Sequence, residues 1–381
     1  MKTAINKLAP QLWLGHKKKA LFLLILLASL SLLLLVDRIL AINNPLHLSF
    51  IQRYILLKEY EPLYSVSFVP PPEALRDSDS LVNKTYYLRV DADGFIMPAK
   101  IHRQPEVTLV FLGGSTTECM YMEENHRFPY VAGRWLEQAT GRQVNSYNAG
   151  ISGINTQHCL NLLLNKILPL NPQVVVLMEN INDLSTLLYE KTYWGENSPR
   201  GTITSQKSSA LKELEKTLHL LRDSLIPHLS REIKDFIQIH TPVDEFSHLR
   251  GQKIAIDKPY LLGEFKMNLE EFINICRANG IIPVLMTQEN RLKINPDPII
   301  AAYLKRIEIN QGITYPAYKD LFDSFNQTIR EVGMAHAVPV IDLAQQVPPE
   351  KAYLYDVVHL TDEGSKLAAR LIQQELIKLI K

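Results

Sequence analysis

The sequence predicts an α/β fold: a three-layer α/β/α sandwich on a central, mostly parallel sheet, with a transmembrane helix in front of it. Three observations carry this. After residue 105, short β-prone apolar runs alternate with amphipathic helical stretches, the pattern of a parallel sheet covered by helices. Several runs, Val174-Val-Val-Leu-Met178 above all, are apolar on both sides, as strands buried under two helical layers are. Near the start, the uncharged, leucine-rich stretch Ala20–Val36 follows Lys17-Lys18-Lys19.

That stretch is just long enough to cross a hydrocarbon core, for which about 17 residues suffice. The lysines in front of it place the amino terminus in the cytoplasm and the remainder outside. A cleaved signal peptide would need a small-x-small site, and Ile39-Leu40-Ala41 is a poor one. A buried core helix would not carry leucine on every face behind a lysine cluster. The expected organisation is a cytoplasmic terminus over 1–19, an anchor over 20–42, a juxtamembrane connector over 43–85 with a break at Pro70-Pro71-Pro72, and a globular domain over 86–381.

Within that domain, residues 86–104 suggest a short hairpin turning at Ala92-Asp93-Gly94. Val107–Leu112 is a strand ended by Gly113-Gly114. Phe128–Thr140 has helical spacing and a C-cap at Gly141. Val144–Asn148 is the second strand, and Asn155-Thr156 caps a helix carrying Leu160, Leu163, Leu164 and Ile167. Val174–Met178 follows. The alternation pauses over about 186–260, where two amphipathic helices (one on Leu211, Leu214, Leu218 and Leu221, the other over 228–240) read as an insertion. It resumes with a helix over 265–279, a strand over 281–286, a helix over 316–333, a strand over 338–342 and a final helix from Thr361 to Ile380. Pro283 places itself at that strand's start or on an edge.

Composition narrows the function. In 381 residues, 41 Lys and Arg nearly cancel 40 Asp and Glu, so no global field draws in nucleic acid. The 3 cysteines are too few for a disulfide framework. No His/Cys/Asp/Glu cluster with metal-ligand spacing, P-loop or dinucleotide fingerprint is present, so neither metal nor cofactor is expected. Asn83 and Asn326 lie in N-x-T sequons.

Four places have chemistry in prospect. Ser115 leaves the first strand at the edge where α/β sheets bind ligands; it is a turn serine or a nucleophile. A serine hydroxyl needs a base to take its proton, usually a histidine held by a carboxylate. Asp356-Val-Val-His359, just before the last helix, offers both. Gly153 follows the second strand and is a turn glycine or a bare N–H that a ligand can approach. Asn182 follows the third and is a helix cap or an amide donor for a developing oxyanion. Glu118 is a nearby carboxylate for the site or, more simply, a solvated loop charge, and His126 and His158, which could lie near the site, read as structural.

In this order and placement, the chain resembles the SGNH/GDSL hydrolase family, a flavodoxin-like sandwich. Gly113-Gly-Ser115-Thr-Thr matches the first block in a GGS-type form, Asn148-Ala-Gly-Ile-Ser-Gly153 the second, Asn182-Asp183 the third and Asp356-Val-Val-His359 the last. Gly114 stands where the commoner form has Asp, and Asn180 where Gly usually precedes the third-block Asn. The resemblance implies Ser115 as nucleophile, His359 as general base and then acid, and Asp356 as its orienting partner. It further implies an oxyanion hole of the Ser115 and Gly153 N–H groups and the Asn182 side chain. The expected function is a serine esterase working outside the cytoplasmic membrane on an acyl ester or acylated carbohydrate, with the bilayer as partner through the amino-terminal helix. An O-acetyltransferase or deacetylase of envelope polysaccharide, and a catalytically silent envelope scaffold, are the alternatives.

Overall fold

The structure, a computed structural model, describes residues 2–43, 51–55, 57–207 and 251–380, with isolated positions between 218 and 229. Both insertion helices expected over 211–240 fall largely outside the described residues. The chain divides into two compact units, residues 1–52 with 206–236, and residues 53–205 with 237–381.

In the first unit, α1 (Lys2–Asn43) contains the window Leu21–Leu40, with a mean hydropathy of 2.4 and none of it buried. By length and composition it fits a membrane span or a signal sequence.

The second unit is built on five parallel strands: β4 (Val107–Gly113), β5 (Val144–Gly150), β6 (Val174–Met178), β8 (Ile282–Thr287) and β9 (Val340–Asp342). Two other strands, β1 (Ile51–Ile55) and β7 (Ile203–Lys207), lie outside this sheet. The order β5-β4-β6-β8-β9 makes β4 the topological switch point. The chain steps from β4 to β5 on one side, then crosses back to β6 on the other, opening a crevice at the carboxyl end of β4. In register across it lie Gly113 with Gly150, Gly113 with Met178, and Met178 with Met286.

Alternate strand residues feed opposite cores, since successive side chains point to opposite faces. Val110, Leu112, Val175, Leu177 and Leu285 pack with α5 (Thr156–Leu162), α6 (Ile181–Glu190), α7 (Lys258–Ala278), α8 (Pro298–Gln311) and α9 (Tyr315–Ala335). Leu109, Phe111, Val176, Val284 and Met286 pack with α4 (Phe128–Thr140) and α11 (Asp362–Leu379). Each such fully buried side chain contributes about 1.5–3 kcal/mol. The expected α/β/α sandwich is therefore present.

Several details add to or differ from the sequence expectation. The turn at Ala92-Asp93-Gly94 closes the expected short hairpin: Val90 bridges antiparallel to Ile96, the Asp91 N–H donates to Phe95 O at 2.9 Å and the Met97 N–H to Arg89 O at 2.8 Å. β3 (Tyr86–Arg89) also has a partner that the sequence reading did not name, pairing antiparallel with β2 (Ser65–Phe68). Pro283 is the second residue of β8, beyond the reach of β9, whose pairing begins at Leu285. A missing N–H therefore costs no ladder bond on that side. Asn326 is 2% exposed, inside α9, which removes it as a glycosylation acceptor. Cys119, Cys159 and Cys276 are buried free thiols.

Candidate active site

Strand β4 delivers Ser115 through Gly113-Gly114 to the start of a single helical turn, α3 (Ser115–Glu118). The first N–H groups of a helix have no partner within it, so the Ser115 N–H is not consumed inside this turn. Gly114 is closely packed. A Cβ there would stand 2.1 Å from Asn182 Nδ2 and 3.3 Å from Glu179 Oε1. The GGS departure thus makes room for side chains of the third block, which press against the serine's turn.

The last block is a local device. Asp356 Oδ1 accepts from the Val358 N–H at 2.9 Å and the His359 N–H at 2.8 Å, an Asx-type turn. Its Oδ2 lies 2.7 Å from His359 Nδ1, and His359 Nε2 lies 2.8 Å from Ser115 Oγ. The Tyr355 ring stacks on the imidazole at 5.5 Å and 8°. Burial pushes the Asp356 carboxyl up, but the His359 charge and its hydrogen bond, with two backbone N–H groups, outweigh it and leave the pKa below the usual value. An ionised Asp356 is acceptor-only, so Nδ1 carries the proton and Nε2 is free to accept from Ser115. Burial likewise pulls His359 down; the Asp356 charge and hydrogen bond, aided by Glu118 and Glu289, outweigh it and hold the imidazole pKa above 6.5.

The remaining residues converge from neighbouring strand ends. Gly153 has φ +76°, a conformation that favours glycine, in the turn after β5. Asn182 is the second residue of α6, not its cap, which is Asn180. Its Oδ1 accepts from Arg200 Nη1 at 2.8 Å, so Nδ2 is the group on the Gly114 side, 3.4 Å from Glu179 Oε2. A cleft of about 360 Å³ is lined by Ser115, Tyr121, Gly153, Asn182, Arg200 and His359 among others. The structure therefore brings together all five residues singled out from the sequence. Among the described residues no group of three metal-ligating side chains occurs.

One expectation is corrected. Glu118 is no solvated charge but fully buried, accepting from the Tyr60 and Ser152 hydroxyls. His126 pairs with Asp362 at 3.1 Å, and buried His158, pushed down to about 3 by burial, closes a capping box with Asn155. Other neighbours had no signal in the sequence. Arg200 stands between Pro199 and Gly201 in the stretch read as insertion. Glu289, fully buried with neither carboxyl oxygen hydrogen-bonded, is pushed up to about 8 by burial.

The sequence profile of the GDSL-like lipase/acylhydrolase family matches residues 111–367. The chain belongs to this family and is a hydrolase acting on ester bonds. Among solved structures it is similar to the lipase/acylhydrolase from Enterococcus faecalis, at 19% identity over 72% of this chain and 97% of that one, with a TM-score of 0.41. A GDSL-like lipase from Bacteroides thetaiotaomicron is 18% identical over 71% of this chain and 88% of that one, TM-score 0.39. An acetylxylan esterase from Geobacillus stearothermophilus is 15% identical over 71% and 94%, TM-score 0.39. No curated protein matches the sequence.

Proposed function

We propose that the protein is a serine esterase whose nucleophile is Ser115. One observation carries the reading: the hydrogen-bonded chain from Asp356 through His359 to Ser115 Oγ, set at the switch point of the sheet. Ser115 Oγ attacks the ester carbonyl while His359 Nε2 takes its proton, and Asp356 stabilises the imidazolium. The tetrahedral oxyanion is met by the Ser115 and Gly153 N–H groups and Asn182 Nδ2. On collapse the ester C–O bond breaks and His359 returns the proton to the leaving alkoxide. A water then repeats the sequence on the acyl-serine, its proton passing to His359, and releases the carboxylic acid and Ser115.

Arg200 supports the role of Asn182, because occupying Oδ1 leaves the amide no choice but to present its N–H groups. In this reading α1 anchors the protein with residues 1–19 in the cytoplasm, and the domain over 86–381 works on the outer side, on acyl esters or acylated carbohydrates. The lysines preceding the apolar run support that orientation.

The test is Ser115→Ala assayed on short-chain acyl esters. A loss of about 10³-fold or more in kcat is expected for removal of a nucleophile acting as a unit with its base. Retention of the parent's rate would end the assignment.

A further inference from the structure

Glu118 lies three residues after Ser115 on the same helical turn and is fully buried. Its two oxygens are used separately: Oε1 accepts from the Tyr60 hydroxyl and Oε2 from the Ser152 hydroxyl. Burial pushes the Glu118 carboxyl above its usual pKa, and the Ser152 and Tyr60 hydrogen bonds and the Arg127 charge act against that rise. That cation is itself buried. Arg127 is 1% exposed, donates to the carbonyl oxygens of Met97, Tyr87 and Cys119, and acts on Glu118 through its charge.

The two donors come from different places. Ser152 immediately precedes Gly153. Tyr60 comes from the segment that follows α1 in sequence, and that segment is fastened to the fold at successive residues. Leu57 packs on the helical core, Lys58 Nζ donates to the Pro199 carbonyl at 3.2 Å, and Glu59 pairs with the largely buried Lys166 at 2.8 Å. The Tyr60 ring stacks on Tyr64 at 5.6 Å, and the Leu63 N–H donates to Asp91 O at 3.0 Å.

We propose that Tyr60 is a positioning residue of the active site, acting through Glu118 and Ser152 to set the 151–153 turn and so the place of the Gly153 N–H. The segment between the apolar helix and the first strand of the parallel sheet is then part of the working site and more than a tether. This rests on the reading of Ser115 as nucleophile. Without the Tyr60 hydroxyl, a buried Glu118 oxygen loses its partner, and the side chain must rearrange or change its protonation. Either change loosens its hold on Ser152. Deleting a whole oxyanion donor costs about 10²–10³-fold in kcat; a displaced one should cost about tenfold.

The experiment uses the full chain, with two readouts: steady-state hydrolysis of a short-chain acyl ester, and the rate at which a serine-reactive phosphonate labels Ser115. Tyr60→Phe removes one hydroxyl and no volume, and is expected to lower kcat and the labelling rate about tenfold with KM within twofold. Ser152→Ala, which cuts the same relay from the other end, should match it, and the double variant should be no worse than the poorer single. Glu59→Gln, which breaks a neighbouring ion pair outside the relay, should leave both rates unchanged. Parent-like rates in Tyr60→Phe, or losses that add in the double variant, would overturn the proposal. Failure of the phosphonate to label the parent chain overturns the serine mechanism and this inference together, whereas a labelled parent with an indifferent Tyr60→Phe overturns this inference alone.

Discussion

Asp356 performs two tasks with two oxygens, folding its own turn with one and holding the imidazole with the other. Under the proposed mechanism this fixes a pH dependence. His359 must be neutral to accept the serine proton, and its pKa is held above 6.5. As pH falls through that raised value the imidazole protonates and the base is lost, so the acid limb of kcat/KM lies above pH 6.5. Asp356→Asn removes the charge that holds the pKa up. The limb should move to lower pH while kcat falls by about 10³-fold or more, because the amide no longer fixes the tautomer. A pH–rate profile checks both; an unmoved limb would mean that Asp356 does not tune His359.

At the level of elements, the serine's turn and the asparagine's helix are joined by one side chain. Gln288, just beyond β8, donates from Nε2 to Thr116 Oγ1 at 2.8 Å and accepts at Oε1 from the Ile181 N–H at 2.9 Å. Asn326 on α9 grips its backbone, accepting from N at 2.9 Å and donating to O at 2.8 Å. Gln288→Leu orphans a buried hydroxyl and a helix-start N–H, and is expected to destabilise by about 1–3 kcal/mol, read as a lowered denaturation midpoint. Strands and most helices of this scaffold were legible because their periodicity is local: Val174–Met178, Phe128–Thr140 and the 316–333 helix lie within two residues of their expected bounds. Ser115, Gly153, Asn182, Asp356 and His359 were singled out as candidates because their joint order and placement resemble the family's blocks, each being ambiguous on its own. Gln288, Glu118 and Tyr60 were not, since their work is set by partners 172, 34 and 58 positions away, and nothing in their neighbours' pattern marks it. The hairpin within 86–104 was legible from its local turn, whereas the second partner of Tyr86–Arg89, residues 65–68, was not.

Across the whole second unit, Arg291 draws three distant parts together. At 1% exposure it pairs with Asp79 at 2.7 Å and Asp297 at 2.8 Å, and donates to Leu354 O at 3.0 Å, beside the Asp356 turn. Arg291→Met keeps much of the volume but leaves two carboxylates and a carbonyl without their shared donor. A loss of about 3 kcal/mol in unfolding free energy is expected, and an unchanged urea midpoint would contradict it. The pairing of Ser115 with His359 is more distant still, spanning 244 positions. At about 5–20 residues added per second during synthesis, the strand-end serine precedes its histidine by on the order of 10–50 s. Throughout that interval the nascent chain carries an ordinary alcohol with no base beside it. Under the proposed mechanism, reactivity arrives only when the Asp356–His359 turn docks beside Ser115, so the half-made protein leaves the esters around it untouched.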